Sequence, residues 1–281
     1  MHYILDVMRI GIDIDGTSMR LGIVDGGEIF RKLVVPAKAD ESEGVIINHL
    51  IESIGKIINS NIRGIGLGVS AIVKTDKGIV QDAINIPSWK RVPLKDILEK
   101  EFKIPVFVNN DSNCFAFGER YYGEGTLYRD IVCVTLSLGV GTGIIINNEL
   151  YNGFNTGAGE LGSLPYLYSD YERYCGEKFF IRNDTTVDEA YRLALDGDAK
   201  MLTLWDELGE HIGSLIKTIL FTYDPQAIIL GGTILKGYEL FSDKMYESIY
   251  KFPFQDTVER VKILLSRKED INLLGAAALV V

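Results

Sequence analysis

Of 281 residues only three are cysteine, Cys114, Cys133 and Cys175, so no disulfide framework is implied. Cys133 sits inside an apolar strand pattern and reads as a small core residue. Positive charge is also in deficit: 29 Lys and Arg face 39 Asp and Glu, a net charge of −10. That balance argues against a nucleic-acid surface, which needs clustered cations. A nucleotide stays possible, because loop amides and a divalent cation neutralise phosphates locally. No apolar run approaches the ~18 residues of a membrane span, and the first residues lack a signal-peptide layout. No membrane partner and a cytoplasmic location are the resulting expectations. A GxxxxGK[ST] loop is missing, which disfavours a Walker-type NTPase. No low-complexity linker interrupts the chain, so its parts should be joined by short connections.

What is there is a strand, turn, strand grammar that occurs twice. Residues 9–14, 20–25 and 28–35 read as strands, with Gly26-Gly27 as a hairpin turn. A helix follows at 44–59, a buried strand at 64–69, a hairpin at 74–79, a helix at 92–102 and an apolar strand at 104–108. The second half repeats the theme: strands at 130–138 and 143–147, a glycine-rich loop at 153–162, and helices at 187–195 and 199–223. A strand at 227–230 and helices at 238–250 and 273–280 close the chain. This order predicts a duplicated α/β fold with a cleft between two lobes.

Three glycine turns follow buried strands: residues 13–17, residues 139–143, and Gly231-Gly232. Each alone is an ordinary turn, where glycine supplies unusual backbone angles. Together they are what a triphosphate needs, several small amide-rich loops. Asp13 adds a carboxylate suited to holding Mg²⁺ through water, and the Thr17 hydroxyl a donor for phosphate oxygens. The dipeptide Asn110-Asp111 closes the 104–108 strand and opens the segment that follows. Taken alone it is a helix cap; beside the glycine turns, Asp111 becomes a candidate proton acceptor.

The segments GIDIDGTSMRLGIVD, VFVNNDSNCFAFGER, LSLGVGTGIIINNELYNG, TGAGELGSLPY and DPQAIILGGTI stand in an order that resembles the ROK family of sugar kinases, within the hexokinase–actin superfamily. The resemblance implies a two-lobed actin-like ATPase (ribonuclease H-like) fold with a duplicated βββαβα core. It implies residues 1–112 as an N-terminal lobe, completed by a C-terminal helix at 268–281, and 113–267 as the larger lobe. The implied reaction is ATP-dependent phosphorylation of a hexose, glucose or a close relative, at its 6-hydroxyl, with Mg²⁺. Asp111 is then the general base. Gly68, Ser70, Asn85, Asn110 and Glu160 face the sugar. Asp13, Gly16 and Thr17 match the first phosphate loop, Gly139, Gly141 and Gly143 the second, and Gly231 and Gly232 the turn beside adenine and ribose. A homodimer is the implied assembly.

Four positions depart from that pattern. The family's His after AGE(I/L)G is Ser163 here, and its Cys-rich zinc loop is short and keeps only Cys175, with His2, His49 and His211 all far in sequence; no zinc is expected. The last sugar-binding Glu falls on Glu172 when DYERYCGEKFF is read against E-x-Y, and on Glu177 when it is anchored on the cysteine; Glu172 is placed ahead. The second phosphate loop carries Leu138 or Val140 where the family has Thr, so Thr142 or Ser137 would have to supply the hydroxyl. The first loop carries Asp15 where the family has Gly, and a carboxylate there repels phosphate unless it points away or binds the metal. Rival readings are a catalytically weak sugar-binding relative, a kinase for an N-acetylhexosamine or fructose, and a sugar-responsive repressor. The last is disfavoured by charge and by the about a dozen residues ahead of Asp13, too few for a helix-turn-helix.

Overall fold

A computed structural model describes residues 7–280; residues 1–6 and 281, and with them His2 and the outer ends of the expected lobes, lie outside it. The chain divides into two compact units. One takes in the chain as far as Thr126 together with Leu150–Ala158 and the chain from Arg267 onward. Its strands are β1 (Arg9–Ile14), β2 (Ser18–Asp25), β3 (Glu28–Pro36), β4 (Ile65–Val69), a small sheet of β5 (Ile72–Lys74), β6 (Ile79–Gln81) and β7 (Arg91–Val92), and then β8 (Val106–Asn110). Its helices are α1 (Glu43–Gly55), α2 (Leu94–Phe102), α3 (Asp111–Tyr122) and the C-terminal α10 (Ile271–Ala278).

The main sheet runs β3-β2-β1-β4-β8, with β1, β4 and β8 parallel. β1 (RIGIDI) and β4 (IGLGV) are buried along their whole length, as parallel strands covered on both faces require. Register puts Asp13 beside Gly68 and Gly68 beside Asn109, so three strands end in line. Loops at the carboxyl ends of such strands are where α/β folds place their sites.

α10 lies directly on this sheet and on α3 because glycine removes the side chains between them. A methyl group on Gly11 or Gly66 would strike the carbonyl of Leu273 or Ala276, and one on Gly275 would strike the carbonyl of Cys114. α3 therefore belongs with the first unit, and the boundary falls after Thr126 instead of at 112. The segment Leu150–Ala158, expected in the second lobe, groups with the first unit too.

The second unit repeats the strand order as β11-β10-β9-β14-β15. Its elements in chain order are β9 (Ile131–Leu136), β10 (Val140–Ile146), β11 (Glu149–Leu150), β12 (Pro165–Tyr166), β13 (Ser169–Asp170), α4 (Glu172–Cys175), α5 (Glu177–Arg182), α6 (Val187–Leu195), α7 (Ala199–Tyr223), β14 (Ala227–Gly231), α8 (Tyr238–Ile249), α9 (Gln255–Arg260) and β15 (Lys262–Leu265). α7 buries Trp205, Leu208, Ile212, Leu215, Ile216 and Ile219 along one side, as the phase of its sequence predicts, but Leu202, in phase with them, is exposed and Leu204 is buried in its place. The elements of this unit without a sequence-based expectation, β11, β12, β13, α4, α5, α9 and β15, are each six residues or shorter, too short to carry a clear period.

The contact face of α10 yields a stability prediction. Gly66→Ala should cost about 3 kcal/mol, since backbone blocks the added methyl. Gly55→Ala, within α1 and with open space around it, should be neutral or stabilising by up to ~1 kcal/mol. Urea denaturation midpoints of the two variants check the contrast.

Candidate active site

In the first unit, β8 delivers Asn110 and Asp111 to the point where α3 begins. The cap itself belongs to Asn110, whose Oδ1 accepts from the Ser112 amide at 2.8 Å while its Nδ2 donates to the Ala71 carbonyl at 3.1 Å. Asp111 is the first helical residue and its carboxylate is held at both ends. Oδ1 accepts from the Ser112 amide at 2.8 Å, and Oδ2 accepts from the Ser70 hydroxyl. Gly68 lets β4 pass close by: a methyl group there would sit 3.0 Å from the Cys114 sulfur and 3.6 Å from Asp111 Cα.

Asp13, at the end of β1, is buried and salt-bridged to Arg20, whose Nη2 and Nε donate to Oδ2 at 2.7 and 3.1 Å. Burial still wins: the Asp13 pKa is pushed up to about 6, against the pull of Arg20 and with the Asp111 charge adding to the rise. The Cys114 thiol below is likewise pushed up, by burial first and then by Asp13 and Asp111. Gly16 packs against Asn85, where a methyl group would meet Asn85 Cβ at 2.6 Å. One unit thus gathers Asp13, Gly16, Thr17, Gly68, Ser70, Asn85, Asn110 and Asp111.

Asp15 neither points away from its loop nor stands free. Its Oδ1 accepts from the Thr17 amide (2.7 Å), the Thr17 hydroxyl (2.6 Å) and the Ser18 amide (2.7 Å), and its Oδ2 accepts from Arg20 Nη2 at 3.0 Å. Burial raises its pKa, but these hydrogen bonds and Arg20 hold it below the usual carboxylate value.

An amide network that sequence reasoning misses supports the junction. Asn109 Oδ1 accepts from the Asn110 amide at 2.8 Å and from Asn113 Nδ2 at 2.9 Å. Asn109 and Asn113 both donate to Asn152 Oδ1 at 3.3 Å. The repeated Asn in NNDSN, at i and i+4, is the available signal.

In the second unit the glycine turn between β9 and β10 is only Ser137-Leu138-Gly139, closed by Ser137 N donating to the Gly139 carbonyl at 3.0 Å. Gly141, Thr142 and Gly143 lie within β10, paired with Thr135, Val134 and Cys133, so they do not form the loop. Thr142 is buried and its hydroxyl donates to the Gly159 carbonyl, which removes it as a substitute phosphate donor. Ser137 remains at the turn, its hydroxyl oxygen accepting from the Thr233 amide at 3.3 Å. Gly231 ends β14, and Gly232, at φ 99° and against the Leu136 backbone, admits no other residue without strain. Glu160 is exposed just before the helical turn Leu161–Ser163. The Glu172 carboxylate abuts Gly139 and pairs with Lys178 at 2.5 Å, while Glu177 accepts from the Thr233 hydroxyl at 2.5 Å.

A family model described as ROK family matches residues 9–179 and 181–281. The chain belongs to the ROK family. A glucokinase of Halalkalibacterium halodurans is 27% identical over 271 residues, covering 83% of this chain and 82% of the relative. A xylose repressor of Caldicellulosiruptor bescii is 27% identical over 251 residues, covering 78% of this chain and 63% of the relative. Among solved structures, a ROK family glucokinase from Streptomyces griseus in complex with glucose and AMPPNP is similar, with TM-score 0.80 and 26% identity, covering 96% of this chain and 98% of that one. The fold is accordingly that of the actin-like ATPases.

Within this ROK chain, among the described residues, no three His, Cys, Asp or Glu side chains are grouped as a metal ion needs. The short loop around Cys175 is knitted by rings. Tyr166 stacks on Tyr171 at 4.3 Å and meets Tyr174 edge-on at 5.4 Å, and its hydroxyl lies 3.1 Å from His211 Nδ1. His211 also packs on Tyr174 and Phe179, and the Arg182 guanidinium covers Tyr174 at 4.3 Å. Burial, then Arg182, lowers the His211 pKa, which favours the neutral ring. Among the described residues no helix is long and apolar enough to cross a membrane.

A hydrated divalent cation fits Asp13, a buried carboxylate whose charge Arg20 compensates only in part. Without ligand, Asp13 takes up a proton more readily folded than unfolded, so its contribution to stability declines as pH rises from about 4 to about 6. The difference in unfolding free energy between the natural chain and Asp13→Asn should therefore change across that window and level off above it. Denaturant titrations over the pH series check this. The ring-knitted loop predicts that EDTA leaves the melting temperature of the ligand-free protein unchanged, whereas His211→Ala lowers it; a calorimetric scan reads both.

Proposed function

We propose that this ROK protein is an ATP-dependent sugar kinase, transferring the γ-phosphoryl group to the 6-hydroxyl of glucose or a closely related hexose. The observation that carries the reading is Asp111. It is a half-buried carboxylate at the end of a buried strand, anchored at both oxygens and set beside the Asp13 turn, in a chain whose relatives include glucokinases. Anchoring fixes the base in one orientation, so little reorganisation is needed when a hydroxyl arrives.

The sugar hydroxyl gives its proton to Asp111 as its oxygen bonds to the γ-phosphorus. The bond from that phosphorus to the β–γ bridging oxygen breaks, and ADP leaves with the electron pair. Asn85, Asn110 and the backbone at Gly68 and Ser70 orient the sugar, and Glu160 and Glu172 are the carboxylates of the second unit that the family pattern assigns to sugar hydroxyls. The turns at Gly16-Thr17 and Ser137–Gly139 supply amides for the phosphates, and Gly231-Gly232 lets the nucleoside approach the backbone. Asp13 is the residue to hold Mg²⁺ through water, and the cation when bound neutralises phosphate charge. One observation favours a second reading, a sugar-binding protein with weak transfer: Asp15 occupies donors of the first phosphate turn.

ADP release measured over glucose, mannose, fructose, allose, N-acetylglucosamine and N-acetylmannosamine separates the two. At least one sugar should raise turnover well above the ATP background; if none does, the kinase reading is wrong. Asp111→Asn should then lower kcat by about 10²- to 10⁴-fold while sugar affinity by calorimetry stays within about twofold. Retained turnover would remove Asp111 as the base.

A further inference from the structure

Five hydrogen bonds converge on Asp15. Besides those from the amides of Thr17 and Ser18, the Thr17 hydroxyl and Arg20, the Ser18 hydroxyl donates to Oδ2 at 3.3 Å. A carboxylate offers about four lone-pair sites, so this one is saturated. Its donors include the Thr17 and Ser18 amides and both hydroxyls of the first glycine turn. Two further backbone bonds close the turn: Asp15 N donates to the Ser18 carbonyl at 3.0 Å, and Ala37 N donates to the Thr17 carbonyl at 2.9 Å.

We propose that Asp15 is a resident anion of the phosphate turn, which a nucleotide phosphate must displace before the turn can hold it, and which thereby sets nucleotide affinity. This rests on the kinase reading above and deepens it. Phosphate oxygens and the Asp15 carboxylate need the same amides and hydroxyls, and both are negative, so they cannot share the turn. Release has a route, because Asp15 is only half-buried and its side chain can turn into solvent. Arg20 does not leave with it: two of its hydrogen bonds go to Asp13, at 2.7 and 3.1 Å. It stays as a fixed cation beside the vacated donors. The lowered Asp15 pKa agrees with an anion that its donors stabilise.

Displacement makes the turn selective. A weakly charged or poorly aligned anion gains too little to evict Asp15, whereas a polyphosphate chain gains contacts at several points at once. The residue acts as a threshold: it taxes every nucleotide by the cost of its own release.

The test is calorimetric titration of Mg·AMPPNP into the natural chain, Asp15→Gly and Asp15→Asn, with the active hexose titrated in parallel. Asp15→Gly should tighten Mg·AMPPNP by about tenfold, because a competing acceptor and a like charge both go. Asp15→Asn, which still accepts from the amides but carries no charge, should fall between. Hexose affinity should stay within about twofold in both. Nucleotide affinity that is unchanged or weaker in both variants overturns the proposal and leaves the kinase reading standing. Failure of Mg·AMPPNP to bind any of the three overturns both. A second readout does not depend on a variant folding. In the natural chain the amide ¹H–¹⁵N signals of Thr17 and Ser18 should move as Mg·AMPPNP saturates; signals that stay at their free positions mean Asp15 was never displaced, and the proposal falls.

Discussion

Backbone touching backbone along α10 is the constraint on which the first unit depends. Gly11 on β1, Gly66 on β4, Gly118 on α3 and Gly275 on α10 all sit where a methyl group would meet a carbonyl of the facing element. Such contacts have no adjustable side chain between them, so they fix distance and rotation together. α3 cannot shift on the sheet without breaking them, and its first residue is Asp111. The precision of the candidate base is thus inherited from a helix that the chain supplies last.

That precision is needed because the site concentrates like charge. The Asp111 charge adds to the rise at Asp13, and Arg20 is the cation that answers Asp13 together with Asp15. Burial lifts Asp13 to about 6 even against a 2.7 Å salt bridge. Buried carboxylates whose charge is only partly answered are a feature that clusters at functional sites. Asp15 adds a third carboxylate to the cluster, held by its own turn and by Arg20.

The strands that end at Asp13, Gly68 and Asn109 are legible in the sequence because buried parallel strands are nearly uninterrupted apolar runs, and the glycine turns punctuate them. Asn110-Asp111 is legible as a junction; which of the two caps the helix is decided by side-chain direction, which no spacing encodes. The second phosphate loop is misread for a related reason. Gly141, Thr142 and Gly143 have the composition of a loop, yet pairing with β9 makes them strand, and the Thr142 hydroxyl turns inward to Gly159. Asp15 reads as a repulsive intruder until its acceptors are seen to close on its own turn. The Tyr166–His211 cluster leaves no local trace at all, since the two residues meet only through the folding of α7.

That cluster also changes what the segment responds to. A loop closed by metal answers to proton and metal activity, because its ligands must be deprotonated and the ion must be present. A loop closed by buried rings answers to temperature instead. Hydration of aromatic surface gives unfolding a positive heat capacity, so the closure is strongest at a middle temperature and loosens on cooling as well as on heating. The segment that carries Glu172 and Glu177 is held by Tyr166, Tyr171, Tyr174 and Phe179, and is therefore tuned by the thermal properties of water.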